Sequence, residues 1–304
     1  MPADGEVLSE IGRAATELPR HRRDEGRHEQ SVPICGLHSQ IYMPPAKDLS
    51  FFARELDRRR LEWYRRQFAP AGPDAVAIGE ASTIYTKYPR FAGVPERIAA
   101  LVPEARLVYM VRDPIDRIRP HYQHQVAVGA ERAPFERAVF ENPIYVDYSR
   151  YTMQIEQYLQ HFPREQLLII ISEDLRTQRL ATLQRIYEFL GVNAHYVPPN
   201  LDREYFRTDE RVPYPPLAWR IRRALKKRFP ASKRVRLAAL PFVRALGHAH
   251  HRGESTRSTG RLVLTDELRE GLIRLLEEDV RRLRAYAPPG FDGWGLAGGV
   301  RCRR

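Results

Sequence analysis

An α/β fold with a largely parallel central sheet, covered by helices on both faces, is predicted by three observations. Short apolar runs, AVAIG (75–79), RLVYMV (106–111) and QLLIII (166–171), read as buried strands. Segments with apolar residues at helical spacing alternate with those runs. Turn formers and charged residues punctuate the junctions, so strands and helices follow one another in the order that builds parallel sheets. In such sheets ligands bind beyond the carboxyl ends of the strands.

The elements follow in chain order. Residues 1–31, centred on PRHRRDEGRHEQS, are polar and charged and predict a poorly ordered segment or a loose helix. FFARELDRRRLEWYRRQF (51–68) predicts an amphipathic helix, and AVAIG a strand that runs into GEASTIYTKYP. VPERIAAL (94–101) predicts a helix with Pro95 in its first turn. RLVYMV leads into a helix from about Asp116, in which Pro120 lacks an N–H and interrupts or bends the chain at about 3 kcal/mol. DYSRYTMQIEQYLQHF (147–162) has helical spacing, and QLLIII is the third strand. SEDL then opens a helix through about Leu190, with Gly191 as its stop. Residues 212–247 carry Pro213, Pro215 and Pro216 and then WRIRRALKKRFPASKRVR, which fits a solvated helix, a nucleic-acid contact or a membrane-surface contact. The last helix starts near Thr265.

Composition bounds the chemistry. The 304 residues are 43% hydrophobic, enough for a sizeable core. The formal net charge is +12, and only five of the basic residues are lysine. Arginine offers a planar fork that matches phosphate and sulfate oxygens in pairs. The ligand classes are therefore anionic: a nucleotide, a sulfated or phosphorylated substrate, nucleic acid or a membrane surface. The other account of the charge is an arginine-rich solvated surface. Cys35 and Cys302 alone support neither a disulfide scaffold nor a cysteine metal site. MPADGEVLSEIG lacks the pattern of a signal peptide, and no apolar stretch approaches the roughly 20 residues that span a bilayer. A cytoplasmic location is the expectation.

Two residues stand where strand ends open a cleft. Glu80 follows AVAIG, placed either as a general base or as a turn acid. Arg112 follows RLVYMV, placed either to clamp a phosphate or to pair with Asp113 in shaping the turn. Arg117 and Arg119 fall further along the following helix, as surface or secondary support.

Four stretches stand in series: HSQIYMPPAKDLSFF (38–52), GEASTIY (79–85), VRDPIDRIRPHYQH (111–124) and FPREQLLIIISEDLRTQRLATLQRIYEFLGV (162–192). In this order they resemble the sulfotransferases that use 3′-phosphoadenosine 5′-phosphosulfate (PAPS). The closer resemblance is to the branch containing bacterial homologues and the heparan-sulfate N- and 3-O-sulfotransferases. It implies a P-loop-NTPase-like three-layer domain over 32–297, flanked by the divergent segment 1–31 and a basic tail at 298–304. It implies PAPS as cosubstrate, no metal, and a hydroxyl or amine acceptor on a carbohydrate, lipid or small metabolite. Glu80 matches the family's base, Arg112 the arginine on the 3′-phosphate, and Lys47 a lysine near the cofactor region.

Two departures stand beside that resemblance. Before His38 the chain has RAATELPRHRRDEGRHEQSVPICGL, with no Gly-x-x-Lys and no preceding apolar strand, so the first strand and phosphate loop read as degenerate. Pro120 stands where the family has a serine whose hydroxyl shares the 3′-phosphate, and proline donates nothing there. A catalytically degenerate homologue, or one with a misread N-terminal segment, is therefore one rival. A module binding anionic polymer or membrane through WRIRRALKKRFPASKRVR is another, with direct nucleic-acid binding unexpected. A nucleotide kinase of the same fold has less support without a Walker loop.

Overall fold

A computed structural model describes residues 34–46, 48–199, 201 and 264–296. Residues 1–33, which hold the degenerate-loop segment up to Pro33, lie outside the described residues, as do Lys47, the basic stretch 212–247 and the tail 298–304. Within the described residues the strands are β1 (Ile41–Tyr42), β2 (Ala77–Ile78), β3 (Leu107–Val111) and β4 (Leu167–Ile171). The helices are α1 (Arg58–Phe68), α2 (Val94–Leu101), α3 (Pro114–Ala127), α4 (Phe135–Glu141) and α5 (Ile144–Asp147). They continue with α6 (Tyr151–Leu159), α7 (Ser172–Thr177), α8 (Arg179–Leu190) and α9 (Asp266–Leu283). None of them is long and apolar enough to cross a membrane.

The described residues divide into two compact units, one with those between 34 and 113, 150 and 201, and 276 and 296, the other with 114–149 and 264–275. The first unit holds all four strands, paired in parallel as β1 with β2 and β3 with β4. The second ladder runs from Leu107 opposite Leu167 to Val111 opposite Ile171. β4 shows why LLIII forms a strand buried on both sides. Leu167, Ile169 and Ile171 pack with Tyr151 and Ile155 of α6 and Leu283 of α9. Ile170 turns the other way, onto Leu183, Ile186 and Tyr187 of α8. Alternate side chains reaching helices on opposite faces make a three-layer α/β arrangement. Each fully buried isoleucine or leucine stabilises it by about 1.5–3 kcal/mol.

The predicted strand AVAIG shrinks to two residues, and its partner is Ile41–Tyr42, within a stretch that carried no strand signal. His38 and Gln40 anchor that partner. The buried His38 ring accepts the Gln40 N–H at Nδ1 (3.0 Å) and donates from Nε2 to the Asn193 carbonyl (2.9 Å). Gln40 Oε1 in turn accepts the Asn193 N–H (2.8 Å).

The helix expected over 51–68 starts later. Phe51 and Phe52 enter a core as a 3₁₀ turn, an extended link follows, and α1 begins at Arg58. Asp57 caps it by accepting the Arg60 N–H at 2.9 Å, a bond worth about 1 kcal/mol. Arg60 also donates to the carbonyls of Glu55 and Phe51. The helix expected over 172–190 is likewise two, because Gln178 (φ −133°, ψ 49°) ends α7 and caps α8. Gly191 closes α8 at φ 73°, as its position promised.

The C-terminal part of α9 is bolted to α6. Asp279 accepts the Thr152 N–H (3.0 Å) and the Met153 N–H (2.9 Å), and its carbonyl accepts the Thr152 hydroxyl (2.6 Å). Those amides are donors left unpaired at a helix start, so the carboxylate meets a need the helix creates. Burial pushes the Asp279 pKa up, against the pull of these bonds.

In the second unit α3 runs through Pro120 without ending. Buried Ile115 and Ile118 and an inward Arg117 hold the turns before the proline. Of the two places expected for Arg117, the helix surface does not hold: its guanidinium turns inward and donates to the Ser149 hydroxyl (2.8 Å) and the Tyr145 carbonyl (3.1 Å). Arg119 does lie toward solvent, 4.0 Å from the Asp116 carboxylate.

Candidate active site

Glu80 and Arg112 each follow the carboxyl end of a parallel strand, β2 and β3 respectively. Both are half-buried. The Asp113 N–H beside Arg112 donates to Glu173 Oε1 (3.1 Å), tying the turn after β3 to the first turn of α7.

The surroundings of Glu80 are built by three elements. β2 delivers it, and the 3₁₀ turn Thr83–Thr86 folds the chain back so that Tyr85 reaches it. α1 supplies Tyr64, whose ring stacks on Phe51 with centroids 4.2 Å apart. Three hydroxyls converge on the carboxylate. Ser82 donates to Oε2 at 2.7 Å, and Tyr85 and Tyr64 donate to Oε1 at 2.5 and 3.3 Å. Tyr158 of α6 holds the Tyr85 carbonyl at 3.0 Å, which fixes the turn from the other side.

Burial pushes the Glu80 pKa above its ordinary value of 4.5. The bonds from Tyr85, Ser82 and Tyr64 pull it back down, and Asp48 pushes it up. Burial and the Glu80 charge drive the Tyr64 and Tyr85 hydroxyls far above the usual tyrosine range, so both stay protonated donors. A carboxylate poised in this way accepts a proton near neutral pH more readily than a solvated one.

Of the residues expected from sequence, Glu80 and Arg112 are therefore placed at strand ends, in different ladders, while Lys47 lies outside the described residues. Sequence reasoning did not single out Ser82, Tyr85 or Tyr64. The first two lie inside GEASTIY, and an acid followed by hydroxyls two and five residues on was the available signal. Tyr64 had only an amphipathic helix to announce it.

A model of the sulfotransferase family matches residues 6–196. The match begins upstream of the 38–192 span in which the motifs are legible. The human bifunctional heparan sulfate N-deacetylase/N-sulfotransferase 3 is 31% identical over 166 residues, which cover 49% of this chain and 19% of that protein. The human bifunctional heparan sulfate N-deacetylase/N-sulfotransferase 2 is 27% identical over 162 residues, 48% of this chain and 18% of the relative. This chain thus spans about a fifth of the length of those relatives. A solved sulfotransferase from Alicyclobacillus acidocaldarius is 27% identical, with a TM-score of 0.48 over 58% of this chain and 79% of that one. With more than half of its residues matched by the family model, this chain belongs to the sulfotransferase family.

Proposed function

We propose that the chain transfers a sulfuryl group from PAPS to a hydroxyl or amine, with Glu80 as base and Arg112 on the 3′-phosphate of the donor. The observation that carries this reading is the Glu80 carboxylate, half-buried directly after β2 and held by three hydroxyl donors. Such a group is oriented and only partly solvated, which suits abstraction of a proton from a bound nucleophile. PAPS supplies the sulfuryl group: a bond forms from the acceptor oxygen or nitrogen to sulfur, and adenosine 3′,5′-bisphosphate departs. Glu80 takes the acceptor proton, which strengthens the nucleophile as that bond forms.

Arg112 fits the donor because a guanidinium pairs with phosphate oxygens through two parallel N–H bonds. The family resemblance supports Lys47 in the cofactor region. For the acceptor, the named activity of the human relatives on heparan sulfate supports a carbohydrate, and "N-sulfotransferase" supports an amine. A lipid or small-metabolite acceptor stays within the same chemistry.

Calorimetry with adenosine 3′,5′-bisphosphate tests the donor site. The wild type is expected to bind, and Arg112→Ala to bind about tenfold or more weakly, the cost of losing a charge-assisted pair. Glu80→Gln is expected to abolish transfer while leaving that binding nearly intact. No binding by the wild type would overturn the donor assignment, and unchanged turnover in Glu80→Gln would remove Glu80 as base.

A further inference from the structure

Each oxygen of the Glu80 carboxylate is reached by a hydroxyl that is itself fed by a backbone N–H from one short segment. The Ser50 N–H donates to Ser82 Oγ (3.0 Å), and Ser82 Oγ donates to Oε2 (2.7 Å). The Phe52 N–H reaches the Tyr85 hydroxyl (3.4 Å), and that hydroxyl donates to Oε1 (2.5 Å). A hydroxyl has one proton and two lone pairs. With a backbone N–H directed at its oxygen, its own proton points onward to the carboxylate. The two chains are polarised in one direction, and polarised chains strengthen each link.

The segment that starts both chains is held in an uncommon shape. Asp48 (φ 50°) and Ser50 (φ 52°) are both left-handed and neither is glycine. Side chains resist that region, and non-glycine residues persist there only where their surroundings enforce it. The enforcement is visible. Asp48 Oδ1 accepts the Thr83 N–H (2.8 Å) and the Thr83 hydroxyl (3.1 Å), while Phe51 and Phe52 are buried at 0% and 3% exposure. The loop 48–52 is therefore pinned to the turn that carries Ser82 and Tyr85.

We propose that the segment 48–52 fixes the direction of the Glu80 carboxylate and holds it ionised through two hydroxyl relays, which makes Ser82 and Tyr85 positioning residues for the transfer reaction. The proposal rests on Glu80 being the base. Tyr64 adds a single longer bond at 3.3 Å, with no such feed among the described residues, and is secondary. Among the described residues, the charged and titratable groups acting on Glu80 are Asp48 from the loop, Tyr64 from α1, Tyr85 from its own turn and Tyr158 from α6. Of these, Asp48 disfavours the carboxylate and the tyrosines are neutral, so among the described residues the hydroxyl bonds are what oppose burial.

The test compares kcat against pH, and KM, for the wild type, Tyr85→Phe, Ser82→Ala and Ser82→Thr, with Glu80→Gln as control. Tyr85→Phe and Ser82→Ala should each move the acid limb of kcat upward by about one pH unit, a roughly tenfold loss of rate below the limb. KM should change little, and Ser82→Thr, which restores a hydroxyl, should return the wild-type limb. An inactive Glu80→Gln with an unmoved limb in both relay variants would overturn the relays and leave the base standing. Full turnover in Glu80→Gln would overturn the base and the relays' catalytic role together. Titration of the Glu80 carboxyl by carbon NMR, assigned by its absence in Glu80→Gln, reads the same displacement without turnover. Ser82→Ala removes one hydroxyl from a half-exposed site, so this reading remains available if Tyr85→Phe fails to fold. Identical titration of Glu80 in the wild type and Ser82→Ala would overturn the proposal.

Discussion

Burial and hydrogen bonding pull on Glu80 in opposite directions, and burial is the larger influence, so its folded pKa stands above 4.5. The sign carries two consequences. With Glu80 as the proposed base, the rate should fall with acid through a midpoint above the ordinary glutamate value, read from kcat against pH. A raised folded pKa also means that the protonated form favours the fold. The stabilising contribution of Glu80 is then fully present below the unfolded value and lost as pH rises through the folded one. Placement of Glu80 and Arg112 was legible because each follows directly on an apolar run, and a strand end is where a parallel sheet exposes its next residue. The hydroxyls around Glu80 were not legible. Tyr85 depends on a 3₁₀ turn of four residues, too short to leave a periodic signal, and Tyr64 on packing against Phe51 from another element.

At the scale of elements, β3, β4 and α2 match their expected spans within a residue, because long apolar runs and a proline in the first turn are strong local signals. α1 and the α7–α8 pair depart for tertiary and local reasons. Phe51 and Phe52 are drawn into a core before the helix can start, and Gln178 leaves helical geometry although nothing in its identity demands it. Gly191 is the clearest element-level constraint. At φ 73°, a Cβ there would come within 2.7 Å of Arg106 Nη1, which itself donates to the Phe189 carbonyl at 2.9 Å. Gly191→Ala should lower the free energy of unfolding by about 1–2 kcal/mol, measured as a fall in the urea midpoint at constant slope.

For the molecule as a whole, the end of the family match and the end of the folded unit are different places. The match stops at 196, yet Leu276, Val280 and Leu283 are fully buried, and Asp279 supplies the acceptors for the first amides of α6. A chain cut after residue 196 would leave those amides unpaired and expose the α6 and β4 side chains that pack on Leu283. It should fail to unfold cooperatively in a thermal melt, whereas the full chain should show a single transition for this unit. That dependence was hidden in the sequence, since TDELREGLIRLLEEDVRRLRAY reads as an amphipathic helix whose partner is unspecified. Arginine-dominated charge was plain from composition, but it did not distinguish an internal brace such as Arg117 from an outward residue such as Arg119.

The relays to Glu80 begin at amide groups, and this makes them invisible to an alanine scan of the loop that starts them. Ser50→Ala would retain its N–H and score as neutral at the carboxylate. Phe52→Ala would score as a core defect, because that side chain is 3% exposed. Ser50→Gly keeps the amide and relaxes the left-handed backbone, whereas proline deletes the amide and cannot adopt φ 52°. A saturation library read only for function would record glycine and unbranched residues at position 50 as tolerated, β-branched residues as weakened by the left-handed backbone, and proline as prohibited.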